Sequence, residues 1–198
     1  MNRLPAIRAA RDEDTDDVGD LIARSFDHLG ANRYLVPDDS ERLPVMRRFF
    51  QMLSEHAQRG AGRVLYTGDA VAVWFDRTTE GPGPVEYDER LADITGKHLD
   101  RFLELDHLLD LHHPSAPHWH LAFLAVDPHL WGRGRGTALL NYMHAQLDET
   151  GTAAYLEASD LESRRLYLRH GYTDMVPPQF TLDDGTPFYR MWRPAQPH

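Results

Sequence analysis

The stretch Leu121–Gly151, LAFLAVDPHLWGRGRGTALLNYMHAQLDETG, decides the fold. An apolar run from His120 to Val126 reads as a buried strand and stops at Asp127-Pro128. Gly132, Gly134 and Gly136 follow at every second position, separated by Arg133 and Arg135. Thr137 then leads into Ala138, Leu139, Leu140, Met143 and Leu147, the spacing of one helix face, and Gly151 closes the helix. The order is strand, glycine-rich turn, helix. Such a backbone can come close to a ligand, and the first-turn amides have no partners of their own; the positive helix end adds to two arginines. An anion, most naturally a phosphate, suits that spot. No Gly-Lys-Ser/Thr follows the glycines, so this is not a triphosphate P-loop. G-x-G-x-G also departs from the dinucleotide fingerprint G-x-G-x-x-G.

Val126-Asp127-Pro128 followed by Trp131-Gly132-Arg133-Gly134-Arg135-Gly136-Thr137-Ala138-Leu139-Leu140 resembles the acyl-CoA signature of the GNAT superfamily of acetyltransferases, Q/R-x-x-G-x-G/A. The resemblance implies that Gly132, Arg133, Gly134, Arg135, Gly136 and Thr137 hold the pyrophosphate of acetyl-CoA as co-substrate. Trp131 stands where the family usually has Gln or Arg. It also implies an α/β GNAT fold: a mixed, mostly antiparallel sheet of about seven strands flanked by helices and splayed between the fourth and fifth strands.

A second block runs from Ala153 to Tyr172. Ala153–Ala158 reads as a strand, Ser159-Asp160-Leu161-Glu162 matches a capping box, and the helix behind it ends at Gly171. It resembles the second GNAT motif, N-x-x-A-x-x-x-Y-x-x-x-G-F/Y, with Tyr167 and Gly171-Tyr172 matching and Ser163 in the place of the usual Asn. By that resemblance Ser163 and Tyr167 contact the cofactor and Tyr167 is the general acid for the departing thiolate. Glu157, closing the strand that splays away, is the expected base or anchor for the acceptor amine. Backbone amides around Leu124, Ala125 and Val126 are the expected donors to the thioester carbonyl.

Around these blocks the chain reads as an alternation of helices and strands. Pro5–Arg8 is an expected first strand, and Asp12–Asp14 precede a helix with Val18, Leu21, Ile22 and Phe26 on its apolar face. His28–Pro37 reads as a loop, Ser40–Gln58 as a second helix, and Arg63–Phe75 as a hairpin turning at Gly68-Asp69. Asp174–Thr181 and Pro187–Trp192 read as the last two strands. The resemblance implies that the first two helices and the loop between them wall the acceptor pocket, so Phe26, Tyr34 and Phe49, with His120 on the fourth strand, are candidates for it. The spacing of Leu91, Ile94, Phe102, Leu105 and Leu109 predicts a helical insertion at about 78–114, interrupted at Gly96. That insertion, with Ala70–Trp74 and Pro117-His118-Trp119, resembles the puromycin N-acetyltransferase branch. His118 and His120 alternate onto one strand face. With no acidic ligand in that segment, no metal is expected.

Composition bounds the rest. A chain of 198 residues that is 41% hydrophobic and 26% charged fits one globular domain, 1–198. Net charge is −10, which argues against general nucleic-acid binding and favours a cationic partner. With no cysteine, disulfides, thiolate metal sites and cysteine nucleophiles are excluded. Neither a membrane span nor a signal peptide is read, so a cytoplasmic protein, monomer or homodimer, is expected. The sequence thus points to acetyl transfer onto the amine of a small molecule in a ternary complex. Alternatives are a non-catalytic acyl-CoA sensor or interaction module, or a protein N-terminal or lysine acetyltransferase.

Overall fold

A computed structural model describes residues 6–196. Seven strands form one sheet in the order β1-β2-β3-β4-β5-β7-β6, with β1 Arg8–Ala9, β2 Gly62–Tyr66, β3 Ala70–Arg77, β4 His118–Val126, β5 Ala154–Ala158, β6 Thr173–Thr181 and β7 Pro187–Arg193. Every neighbouring pair is antiparallel except β4 and β5. Those two pair in parallel over Trp119↔Ala154, His120↔Tyr155 and Leu121↔Leu156. Beyond Leu121 and Leu156 they diverge, which is the expected splay.

Helices α1 Thr15–Phe26, α2 Gly30–Leu35, α3 Asp39–His56, α4 Tyr87–Thr95 and α5 Leu99–His112 lie on one side of the sheet. On the other lie α6 Arg135–Glu149 and α7 Leu161–Arg169. The period-2 pattern of β3 feeds both layers. Val71, Val73 and Phe75 face Phe49, Phe50 and Phe102, while Ala72 and Trp74 face Leu139, Leu140 and Met143. Helix α1 crosses α3 so closely at Gly19 that a Cβ there would lie 2.3 Å from Gln51 Cγ and 2.9 Å from the Arg47 carbonyl oxygen. Nothing larger than glycine fits that crossing.

The hairpin, the helices on either side of Gly96, the Asp38-capped second helix and the two final strands match the reading of the sequence. Three boundaries differ. The expected loop His28–Pro37 contains α2, which buries Ala31, Asn32 and Leu35; it starts without a capping side chain and on a glycine, so its sequence carries no start signal. Strand β1 is only Arg8–Ala9, and the expected start at Pro5 lies outside the described residues. The cap of α7 is Asp160 rather than Ser159, its carboxylate accepting from the Ser163 amide at 2.7 Å. No helix among the described residues is long and apolar enough to cross a membrane.

Candidate active site

The glycine loop is built by backbone requirements. After β4, Asp127 caps a short turn by accepting from the His129 amide at 2.9 Å. Gly132 and Gly134 then take φ values of 72° and 78°, a region closed to most side chains, and α6 begins at once with Arg135. A Cβ at either glycine would meet nothing within 4 Å, so glycine is required there for its dihedrals and not for space. The first intrahelical acceptor used is the Gly134 carbonyl, which takes the Ala138 amide. The amides of Arg135, Gly136 and Thr137 therefore stand free at the positive helix end, a cradle with the chemistry of a phosphate site.

The two loop arginines divide their work. Arg133 is exposed, whereas Arg135 is held 3.0 Å from Asp69 of the β2–β3 turn with its side chain 10% exposed. Arg135 thus ties the loop to the hairpin. Trp131 packs against His28 with ring centroids 5.0 Å apart, and its Nε1 donates to the Val126 carbonyl at 2.8 Å.

Next to the loop, the free edge of β4 supplies donors. The Asp127 amide donates to Asp69 O on the β3 side at 2.9 Å. Antiparallel alternation then turns the Ala125 amide toward β3 as well, and the Leu124 and Val126 amides toward the opening. The register shift between Val73 and Trp74, opposite Phe123 and Leu121, lies beyond these residues and leaves their alternation intact. Leu124 is accordingly the expected donor that reaches the cleft; the Val126 amide is turned the same way but donates to the Ser25 hydroxyl oxygen at 3.4 Å, and the Ala125 amide faces β3.

Glu157 follows Leu156, the last residue of β5 that pairs with β4. Its side chain is 6% exposed, its Oε2 lies 2.8 Å from His120 Nε2, and its Oε1 has no hydrogen-bond partner. Burial works against ionisation, but the charge and hydrogen bond of His120 prevail and hold the carboxyl below its ordinary range. Tyr167 is buried on α7 against Tyr172, with rings 5.8 Å apart. Burial first, and the Asp160 charge second, push its phenol above the ordinary range, so it stays protonated and can donate. Ser163 faces the same space, but its hydroxyl is bonded within the α7 cap, donating to Asp160 Oδ1 at 2.8 Å.

These groups share one cavity of about 920 Å³. It runs from Gly132, Gly134 and Thr137 past Leu124, Tyr167, His120 and Glu157 to a wall of Phe26, Phe49, Phe50 and Phe123. Tyr34 departs from expectation. Its hydroxyl donates to Glu104 and its ring lies 5.1 Å from the Arg101 guanidinium, so it braces α2 against α5 outside the cavity lining.

The sequence reading missed the contribution of the insertion. Tyr87, Asp88, Asp106 and Asp110 line the acceptor half. Tyr87 donates to Asp106 at 2.8 Å, and burial, helped by Asp110 and Asp88, raises the Asp106 carboxyl to about 6. Its signal was legible: Asp106 and Asp110 recur four apart beside Leu105 and Leu109, on a helix facing the core. Among the described residues, no three His, Asp or Glu groups are placed to hold a metal ion.

Residues 74–172, half of the chain, match the acetyltransferase (GNAT) family model. A Corynebacterium glutamicum structure described as histone acetyltransferase HPA2 and related acetyltransferase is similar at 28% identity and a TM-score of 0.72, covering 98% of this chain and 99% of that one. Arylalkylamine N-acetyltransferase 2 from Aedes aegypti shares the fold at 12% identity and a TM-score of 0.66, covering 98% and 100%. Ard1 from Thermoplasma volcanium does so at 14% and 0.56, again covering 98% and 100%. With the family model lying across the glycine loop, Glu157 and Tyr167, the chain belongs to the GNAT acetyltransferase family and is an acyltransferase.

Proposed function

We propose that this protein transfers an acetyl group from acetyl-CoA to a primary amine of a small molecule, by direct attack within a ternary complex. The observation that carries the reading is the continuity of the cavity from the Gly132–Thr137 loop, past Glu157 and Tyr167, into an aromatic and acidic acceptor half. Bound acetyl-CoA supplies an activated thioester. The free amides of Arg135, Gly136 and Thr137, with Arg133 beside them, suit its pyrophosphate. The Leu124 amide suits the pantetheine arm or the carbonyl oxygen on which charge develops, and the Val126 amide can join it only by leaving the Ser25 hydroxyl.

Glu157 attracts the ammonium form of the acceptor, and its free Oε1 accepts a proton as the nitrogen grows acidic on forming its new bond. His120 holds the other oxygen and orients the carboxylate. Tyr167, kept neutral by burial, donates to the leaving sulfur. The carboxylates of Asp88, Asp106 and Asp110 favour a cationic acceptor, and the phenylalanines an apolar body. Because α4 and α5 contribute to the lining and cover the acceptor half, a compact molecule fits better than an extended peptide. The paired insertion helices and the Ala70–Trp74 strand also support kinship with the puromycin N-acetyltransferase branch.

Thiol release from acetyl-CoA in the presence of a panel of amines tests this reading. Wild type is expected to turn over at least one compact amine, and Glu157→Gln and Tyr167→Phe to lower kcat by ~10²-fold or more. Wild-type protein that binds acetyl-CoA but acetylates no amine, or variants as fast as wild type, contradicts it.

A further inference from the structure

Polar atoms without partners are scarce inside proteins, because each costs the water it gave up. Here five of them gather around one carboxylate: Glu157 Oε1, Tyr155 hydroxyl, Arg190 Nε, His113 Nε2 and His118 Nε2. Tyr155 and Glu157 are two apart on β5, so their side chains leave the same face of the strand, with Cα atoms about 6.6 Å apart. The Tyr155 ring is wedged among three imidazoles, with centroids 5.3 Å from His113 and 5.5 Å from both His118 and His120. That packing fixes where its hydroxyl can go. Tyr155 offers a hydroxyl hydrogen, and ionised Glu157 can only accept.

We propose that Tyr155 is the positioning residue of the base, its hydroxyl donating to Oε1 of Glu157 so that the carboxylate is held by His120 on one oxygen and by Tyr155 on the other. Neither Oε1 nor the Tyr155 hydroxyl has another hydrogen-bond partner, so nothing competes for that contact before the amine binds. When the amine binds, the phenol gives way to a stronger, cationic donor. Each group also shifts the titration of the other: the phenol is pushed up, first by burial and then by Glu157, and Tyr155 helps to keep the carboxyl ionised.

The other groups facing Glu157 set its charge without replacing that contact. His120 on β4 is bonded to Oε2. His113, at the end of α5, is held neutral down to about 3, by burial first and then by His120. Arg190 on β7 is the register partner of Glu157, buried, with its Nη1 donating to the Pro177 carbonyl at 2.9 Å. Arg77 lines the same cavity. Among these groups Tyr155 is the neutral hydroxyl that shares the strand face of Glu157.

The inference rests on Glu157 taking the proton, and the test separates the two. Tyr155→Phe keeps the ring among its imidazoles and removes only the hydroxyl. Its kcat is expected to fall roughly tenfold with acetyl-CoA affinity unchanged. Losing a donor to the carboxylate raises the Glu157 pKa, so the acid limb of the pH–kcat profile moves up by about 0.5–1 unit. A ¹³C carboxyl titration of Glu157 in the protein alone reads the same shift without any substrate. An unmoved limb and an unmoved carboxyl titration, with kcat lowered or not, overturn the role of Tyr155. Full activity in Glu157→Gln overturns the reading of the base itself.

Discussion

The indole Nε1 of Trp131 donates to the main-chain carbonyl of Val126 at 2.8 Å, tying the glycine loop back to the end of the strand that faces the cleft. The Ser25 hydroxyl donates to that same oxygen at 3.0 Å, so the strand end is held from α1 as well. Trp131 therefore supplies loop order where the family usually places a polar Gln or Arg. Trp131→Phe keeps the contact with His28 and loses the hydrogen bond. It is expected to weaken acetyl-CoA binding by ~3–10-fold while the melting temperature changes little, since the lost bond is half-exposed. Calorimetric titration of the variant beside wild type checks this.

Gly134 and Gly136 separate dihedral from space. Gly134 sits at φ 78°, so Gly134→Ala is expected to cost about 1–2 kcal/mol and to spoil the cradle. Gly136 lies in α6, where an added Cβ would make ordinary contacts, 3.6 Å from Leu124 Cδ2 and 3.7 Å from Val126 Cγ2. Gly136→Ala is expected to leave folding unchanged or improve it by about 0.5–1 kcal/mol. Urea unfolding of the two variants gives the comparison.

Arg133 and Arg135 differ in the same spirit. Arg135→Ala strips the partner from Asp69, which is itself only partly exposed, and is expected to cost stability by ~1–2 kcal/mol. Arg133→Ala touches a solvated side chain. It is expected to leave stability alone, weaken acetyl-CoA binding a few-fold and flatten its salt dependence. Melting curves and titrations at two ionic strengths distinguish them.

Asp106 is an acid whose folded pKa, about 6, lies above its ordinary value of 3.8. The folded state therefore holds the proton more tightly than the unfolded chain, and this group's share of stability is lost as pH rises from about 4 to 6. Asp106→Asn keeps an acceptor for Tyr87 and carries no charge. After discounting for partial exposure, the variant is expected to be more stable than wild type by ~1–2 kcal/mol at pH 8 and equal to it at pH 4. Denaturant midpoints at the two pH values read this directly.

How much of this was legible in the sequence follows from where each signal lives. Gly132, Gly134 and Tyr167 sit in stretches whose local pattern carries the resemblance to the family, and the mostly antiparallel sheet of about seven strands is what that resemblance implies. The exposure of Arg133 and the burial of Arg135 could not be read, because both follow the same glycines and only the hairpin turn at Asp69 tells them apart. Tyr34 was misplaced for a similar reason. A tyrosine inside a predicted loop faces an unknown direction until α2 winds and turns it toward Glu104. The acceptor half is assembled from α1, α3, α4, α5 and β4, so no single stretch could announce it.

The central claim is that acetyl-CoA binds along the free edge of β4 with its thioester between Glu157 and Tyr167. Steady-state acetylation of the best amine found, comparing wild type with the Glu157→Gln/Tyr167→Phe double variant at matched acetyl-CoA occupancy, tests it most directly. A loss of kcat of ~10³-fold with acetyl-CoA affinity retained is the expected result. Undiminished kcat in the double variant, or no measurable affinity of wild type for acetyl-CoA, contradicts the account.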